Sequence, residues 1–101
     1  MDANLFVAKG INVSCRTING TSCILFEDKK EVVSLNETAS IIWEMINGAT
    51  KVGDLIQESI NNFDGDRIFI EKSVISFLEE LSTEGAIVFS LEKFEGVMKN
   101  V

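Results

Sequence analysis

Histidine and proline are both absent from this sequence, and cysteine occurs only twice. The absence of histidine excludes the commonest general base, the histidine-containing catalytic triads and most zinc sites. Cys15 and Cys23 are not in CxxC spacing, and no general base lies near them in the sequence, so a nucleophilic role is not expected. We therefore expect a protein that is not an enzyme and that uses neither a metal nor a cofactor.

Positive charge is also scarce, with nine basic residues against sixteen acidic ones and a formal net charge of −7. Duplex-binding proteins need a basic surface to neutralise phosphates, and an acidic membrane surface would repel this chain, so neither partner is expected. A partner with a basic segment would instead be attracted. The sequence has no run of eighteen apolar residues and no signal-peptide pattern at its start, which predicts a cytoplasmic location.

The length of 101 residues predicts a single domain over residues 1–101, with a core at about 11–88. Met1–Gly10 is expected to be a loose leader or a short edge segment. From Ile11 to Leu35 the pattern predicts a three-stranded antiparallel meander, with Asn19-Gly20 as its first, type I′ turn. One face of this sheet is expected to carry the apolar residues Ile11, Val13, Cys15, Ile24, Phe26, Val33 and Leu35. Cys23 then lies on the opposite face, and a disulfide with Cys15 is not expected.

Three helices are expected after the meander. The first is expected over 37–47, with Asn36 as N-cap and Gly48 as the left-handed residue that follows it. Thr50 is a candidate N-cap of the second helix, whose apolar stripe is Val52, Leu55, Ile56, Ile60 and Phe63.

The third helix is expected from about Asp66 to Gly85, and its core stripe is Ile70, Val74, Phe77, Leu78 and Leu81. Ile68 and Ile75 form a second apolar flank, which indicates either a second contact within the domain or a groove for a partner. A short strand is expected at Ala86–Phe89. The tail from Leu91 could be a docked helix, a self-association element or a frayed end.

Carboxylate clusters do not point to catalysis. Glu79-Glu80 are adjacent on a helix and point in different directions, which is typical of solvated surface charge. Asn61–Asp66 superficially resembles a calcium loop, but the twelfth position counted from Asn61 is Lys72 rather than a bidentate glutamate. A calcium site is therefore not expected.

Three stretches taken in order resemble the PqqD-like family, which includes the RiPP recognition elements, and together they span about Ile11 to Val88. The first is Leu35-Asn36-Glu37-Thr38-Ala39 with Ile42-Trp43 and Asn47-Gly48, the second is Val52-Gly53-Asp54-Leu55-Ile56, and the third is Val74-Ile75-Ser76-Phe77-Leu78-Glu79-Glu80-Leu81 with Glu84-Gly85-Ala86-Ile87. The resemblance implies an α+β, winged-helix-like fold in which a three-stranded antiparallel meander is followed by three helices and a short C-terminal strand. It also implies a domain that binds the leader segment of a ribosomally synthesised precursor peptide and presents it to a modifying enzyme, often a radical SAM enzyme.

In this family the leader adds a strand to the third strand and lies against the third helix. Transferred to this sequence, the resemblance implies a peptide-binding site formed by Glu31, Val32, Val33 and Ser34 of that strand and by Lys72, Ile75, Ser76 and Glu79 of that helix. The family commonly has an acidic residue where this sequence has Ser73. The last strand of a meander is an edge with unpaired backbone groups, so strand addition there is physically reasonable. The alternative is an ordinary edge protected by Lys29 and Lys30.

Two other functions remain open from the sequence. A winged-helix DNA-binding regulator would fit the order of the helices, but the expected recognition helix at 66–84 contains only Arg67 and Lys72 against several acidic residues. A small dimeric interaction protein would fit the apolar tail at 91–101, and this leaves a homodimer open.

Overall fold

The computed structural model describes residues 1–94 as two three-stranded antiparallel sheets and three helices, which confirms the predicted α+β class. The strands are β1 Phe6–Lys9, β2 Val13–Ile18, β3 Thr21–Phe26, β4 Glu31–Ser34, β5 Thr50–Lys51 and β6 Ile87–Ser90. The helices are α1 Glu37–Glu44, α2 Val52–Asn62 and α3 Arg67–Thr83. No helix among the described residues is long and apolar enough to cross a membrane.

The first sheet is the predicted meander, with strand order β2-β3-β4. The register is the one expected from the turn at Asn19-Gly20, since Cys15 pairs with Ile24, and both turn residues have positive φ. The expected apolar face is only partly buried. Ile24 and Phe26 of β3 are buried, whereas Ile11 is 93% exposed and Cys15 is exposed. This expectation fails at Ile11 and Cys15 because α1 packs on β3 and leaves the β2 side of the sheet in solvent.

The second sheet corrects the expectation for Met1–Gly10. Phe6–Lys9 is not loose and is not an edge, since β1 is the central strand of a sheet with order β5-β1-β6. Val7 is fully buried there, and its carbonyl accepts a hydrogen bond of 2.8 Å from the Gly48 N–H. Both partner strands lie far along the chain from β1, so no local pattern in the sequence could indicate this pairing.

Helix α1 begins as predicted, because the Asn36 side chain accepts a 2.8 Å hydrogen bond from the Ala39 N–H. It ends at Glu44, three residues before the predicted Asn47. Gly48 has the expected positive φ of 85°, but it ends the turn that connects α1 to β5 and pairs with β1. The local sequence does not distinguish a left-handed glycine that ends a helix from one that ends the turn after it.

Thr50 is not the N-cap of α2. Lys51 holds that position without a side-chain hydrogen bond, and Thr50 instead pairs with Val7 in the second sheet. The Thr50 hydroxyl donates to Asn47 Oδ1 at 3.0 Å. Thr50 therefore closes the turn after α1 and begins β5, and it does not cap the following helix.

Helix α3 begins at the expected residue, since the Asp66 carboxylate accepts a 3.1 Å hydrogen bond from the Phe69 N–H. It buries the predicted stripe, with Phe77 only half-buried. The core surrounds Trp43, which is fully buried. In the tail, Leu91–Phe94 has no regular secondary structure, and the rest of the predicted tail element, residues 95–101, lies outside the described residues.

The central position of β1 predicts that Val7 contributes strongly to stability. Val7→Ala is expected to lower the free energy of unfolding by about 2 kcal/mol, because it removes buried methyl groups and leaves a cavity. Val32→Ala is the matched control, since Val32 is 65% exposed and its truncation should change stability by less than about 0.5 kcal/mol. Urea unfolding followed by Trp43 fluorescence measures both. Equal effects of the two substitutions would contradict a central role for β1.

Candidate functional site

Strand β4 has one free edge. It pairs with β3 alone. The Leu35 N–H, just after β4, donates a 2.8 Å hydrogen bond to the Ser22 carbonyl, and this bond identifies which residues of β4 direct their backbone groups toward β3. Because antiparallel partners alternate between bonded and non-bonded pairs, Val33 and Glu31 also point their backbone groups toward β3. Val32 and Ser34 therefore direct their N–H and C=O groups outward.

The side chains of β4 divide between the two faces of the sheet. Val33 lies opposite the buried Ile24, so it is on the face that carries the core, yet it is 41% exposed. Val32 lies opposite Leu25 on the other face and is 65% exposed. Val33 stays accessible because α3 packs mainly against α2 and β6 rather than against β4. Val33 is consequently accessible to a partner at the free edge of β4.

A continuous trough runs along α3. It consists of three clefts that share residues, since Phe69 and Ser73 line both the first and the second, and Ser76 and Glu80 line both the second and the third. We call this feature the α3 trough; its lining residues are Thr38, Ile42, Phe63, Asp64, Phe69, Ile70, Lys72, Ser73, Val74, Ser76, Phe77, Glu79, Glu80, Thr83 and Glu84.

One end of the α3 trough is apolar. Here α1, the loop after α2 and the first turns of α3 enclose a cleft of about 310 Å³, into which Ile42, Phe63 and Val74 contribute apolar surface. Phe69 is 69% exposed at this end, which is unusual for so large an apolar side chain. The cleft is large enough to receive an apolar side chain from a partner.

The other end of the trough is acidic and is tied to the turn before β4. It is lined by Ser76, Glu79, Glu80, Thr83 and Glu84. Lys29, in the turn between β3 and β4, forms an ion pair of 2.9 Å with Glu84. The hydrogen bond that the Lys29 ammonium donates to the Glu84 carboxylate raises the pKa of Lys29 above its ordinary value. Lys29 is thus engaged with α3, and this contact holds the start of β4 near the C-terminal end of α3.

The structure brings most of the expected helix residues to the trough. Lys72, Ser76 and Glu79 line it, whereas Ile75 does not. Residues two apart on a helix point to nearly opposite sides, so Ile75 faces away from Ser73 and Phe77 of the trough, and it is half-buried.

Sequence reasoning missed several residues that line the trough, most clearly Phe69, Ser73, Glu80 and Glu84. A signal for this flank was present, because Phe69, Ser73 and Phe77 recur at intervals of four along α3. This row lies beside the core stripe of α3, and the sequence pattern assigns Phe77 to that stripe. The row therefore does not stand out from the sequence as a separate surface.

Comparison with known proteins agrees with this architecture. The sequence model of the family described as Coenzyme PQQ synthesis protein D (PqqD) matches residues 22–87, which is about two thirds of the chain. The chain belongs to the PqqD family. The match begins in β3 and ends at the start of β6, so it includes β4, α1 and all of α3. No curated protein matches the sequence significantly.

Two solved structures share the fold of this PqqD-family chain. A structure of TbiB1 in complex with the TbiA(beta) leader peptide has a TM-score of 0.73 and 16% identity, and the match covers 79% of this chain and 93% of that one. A structure of lasso peptide synthetase B1 complexed with the leader peptide has a TM-score of 0.72 and 17% identity, with coverage of 81% and 96%.

Phe69 is expected to contribute little to stability despite its size. Phe69→Ala should change the free energy of unfolding by less than about 0.5 kcal/mol, because most of the ring is already in solvent. Leu78→Ala, at a fully buried position of the same helix, should cost about 3 kcal/mol. Thermal and urea unfolding of both variants test this. A large loss of stability in Phe69→Ala would show that the ring belongs to the core.

Proposed function

We propose that this protein binds the leader segment of a ribosomally synthesised precursor peptide by strand addition to β4. The observation that carries the proposal is the free outer edge of β4, a strand that follows the turn whose Lys29 forms an ion pair with Glu84 of the α3 trough. Membership of the PqqD family and the shared fold with two leader-peptide complexes support it.

The backbone groups of β4 and the side chains of the α3 trough both suit an extended peptide. Val32 and Ser34 offer two N–H donors and two carbonyl acceptors, which any peptide backbone can satisfy, so they would supply affinity without selecting a sequence. Alternate side chains of the added strand would point toward Val33 and the α3 trough, which would select the sequence. We expect micromolar affinity, about −8 kcal/mol.

The bound leader would be presented to a modifying enzyme, and a radical SAM enzyme is the class we propose. We assign no catalytic step to this chain, because the ionisable residues along the α3 trough are Asp64, Lys72, Glu79, Glu80 and Glu84, a set without histidine or cysteine. A DNA-binding role gains no support, since the solvent-facing side of α3 carries Glu71, Glu79 and Glu80, which would repel phosphates.

The free backbone groups of β4 give a direct test. Val32→Pro removes an outward N–H while leaving the β3–β4 ladder intact, because proline is tolerated at an edge where its nitrogen faces solvent. We expect it to weaken binding of the leader at least tenfold, whereas Val32→Thr, which keeps the N–H, should bind normally. Isothermal titration with a synthetic leader segment of a candidate precursor peptide measures both.

The opposite edge of the same sheet supplies the control. Residue 15 of β2 also directs its N–H away from β3, by the alternation that the Glu27 N–H to Asn12 carbonyl bond fixes. Cys15→Pro should therefore leave the affinity unchanged. Equal loss in Cys15→Pro and Val32→Pro, or unchanged binding in both, would contradict strand addition at β4.

A further inference from the structure

The α3 trough differs in chemistry from one end to the other. Its first end, near the start of α3, presents Phe69 and Phe63. Its second end presents Glu79, Glu80 and Glu84. Glu31, the first residue of β4, is exposed and close enough to Lys29 to affect the pKa of that amine, so its carboxylate adds to the negative charge at this end.

These acidic residues lie where their negative charges are unfavourable as long as no partner is bound. The C-terminal end of a helix carries partial negative charge and favours basic side chains, yet the last turn of α3 contains none. Glu80 and Glu84 also lie four residues apart, an arrangement in which like charges repel. Within residues 1–94, Lys29 is the cation that forms an ion pair at the acidic end of the trough, and its partner is Glu84. Glu79 and Glu80 have no ion-pair partner among these residues. A basic group from a partner would relieve this repulsion.

Two features give the direction of β4 relative to the α3 trough. The ion pair between Lys29 and Glu84 holds the start of β4 at the acidic end. Thr38, four residues after Ser34 ends β4, lines the apolar cleft. Strand β4 therefore runs from the acidic end to the apolar end. A peptide that pairs antiparallel to β4, as the other strands of this sheet pair, would run from the apolar end to the acidic end.

We propose that the protein selects leader segments in which an apolar residue is followed, about four residues later, by lysine or arginine. This inference rests on the proposed function and names the class of peptide that the site takes. The spacing follows from the helix. By the α3 residues that line them, the centres of the two ends lie about nine residues apart on the helix, or roughly 13 Å, which an extended strand spans in about four residues. Side chains on one face of a strand recur every second residue, so the matching even spacing is four.

A peptide display library tests this order. Peptides of eight randomised residues between flexible flanks are selected on the immobilised full chain at low and at high salt. The enriched peptides are expected to carry an apolar residue followed at the fourth position by lysine or arginine, with enrichment of the basic residue lost at high salt. Enrichment of apolar residues without a basic one, or with the basic residue on the N-terminal side, would overturn the inference and leave the proposed function standing. Failure to enrich any peptide would overturn both.

Charge reversal in the protein gives a second, quantitative test. Glu80→Lys should weaken binding of the best selected peptide about fivefold, and a peptide with glutamate in place of its basic residue should regain that loss on this variant. Glu71→Lys is the matched control, because it makes the same change in net charge on the same helix at an exposed residue outside the trough, and it should bind like the original chain. Equal weakening by both variants would show a general charge effect and would overturn the inference.

Discussion

The antiparallel pairing of β3 with β4 is the constraint on which the candidate site depends. Alternate residues of β3 bond to the strands on its two sides. The turn at Asn19-Gly20 sets the pairing with β2, so it also determines which residues of β3 direct their backbone groups toward β4, and the β3–β4 register then determines which residues of β4 they bond. A shift by one residue would turn Val32 and Ser34 inward and expose the backbone groups of Val33. It would also move Leu35, which follows β4 and is buried, to the solvent face. The burial of Leu35 thus fixes the edge that a peptide would meet.

Helix α1 connects this edge to the trough. Its N-cap follows directly after β4, and three polar contacts fasten it over the meander. The Ser22 N–H donates to Ser40 Oγ at 2.8 Å, and the hydroxyls of Thr17 and Ser22 both donate to Glu44 Oε1. With α1 held in this way, Thr38 and Ile42 form a wall of the apolar cleft. The cleft is therefore positioned by contacts on the opposite side of α1, away from any ligand.

The parts of the fold that could be predicted from sequence are those with local causes. The hairpin turn, the cap at Asn36 and the start of α3 at Asp66 each depend on residues within a few positions of one another. The central position of β1 could not be predicted in this way, because its partners β5 and β6 are distant in the sequence. The same limit applied to the site. The edge of β4 follows from strand order, but which flank of α3 carries a trough depends on how α3 packs, so the sequence alone could not indicate that Ile75 lies outside the trough.

Several features beside β4 reduce stability rather than add to it. Every residue of β4 is exposed, Phe69 has most of its ring in solvent, and Glu80 and Glu84 repel each other at a helix end that favours cations. Other exposed apolar residues, such as Ile11, lie away from the trough, and the core is regular, with a well-capped α1 and with Trp43, Leu55 and Leu78 fully buried. Departures from local preference that fall together along one trough are typical of a binding surface. An added strand would pair the free groups of β4, cover Phe69 and bring a cation to the glutamates, so one ligand would remove all three costs.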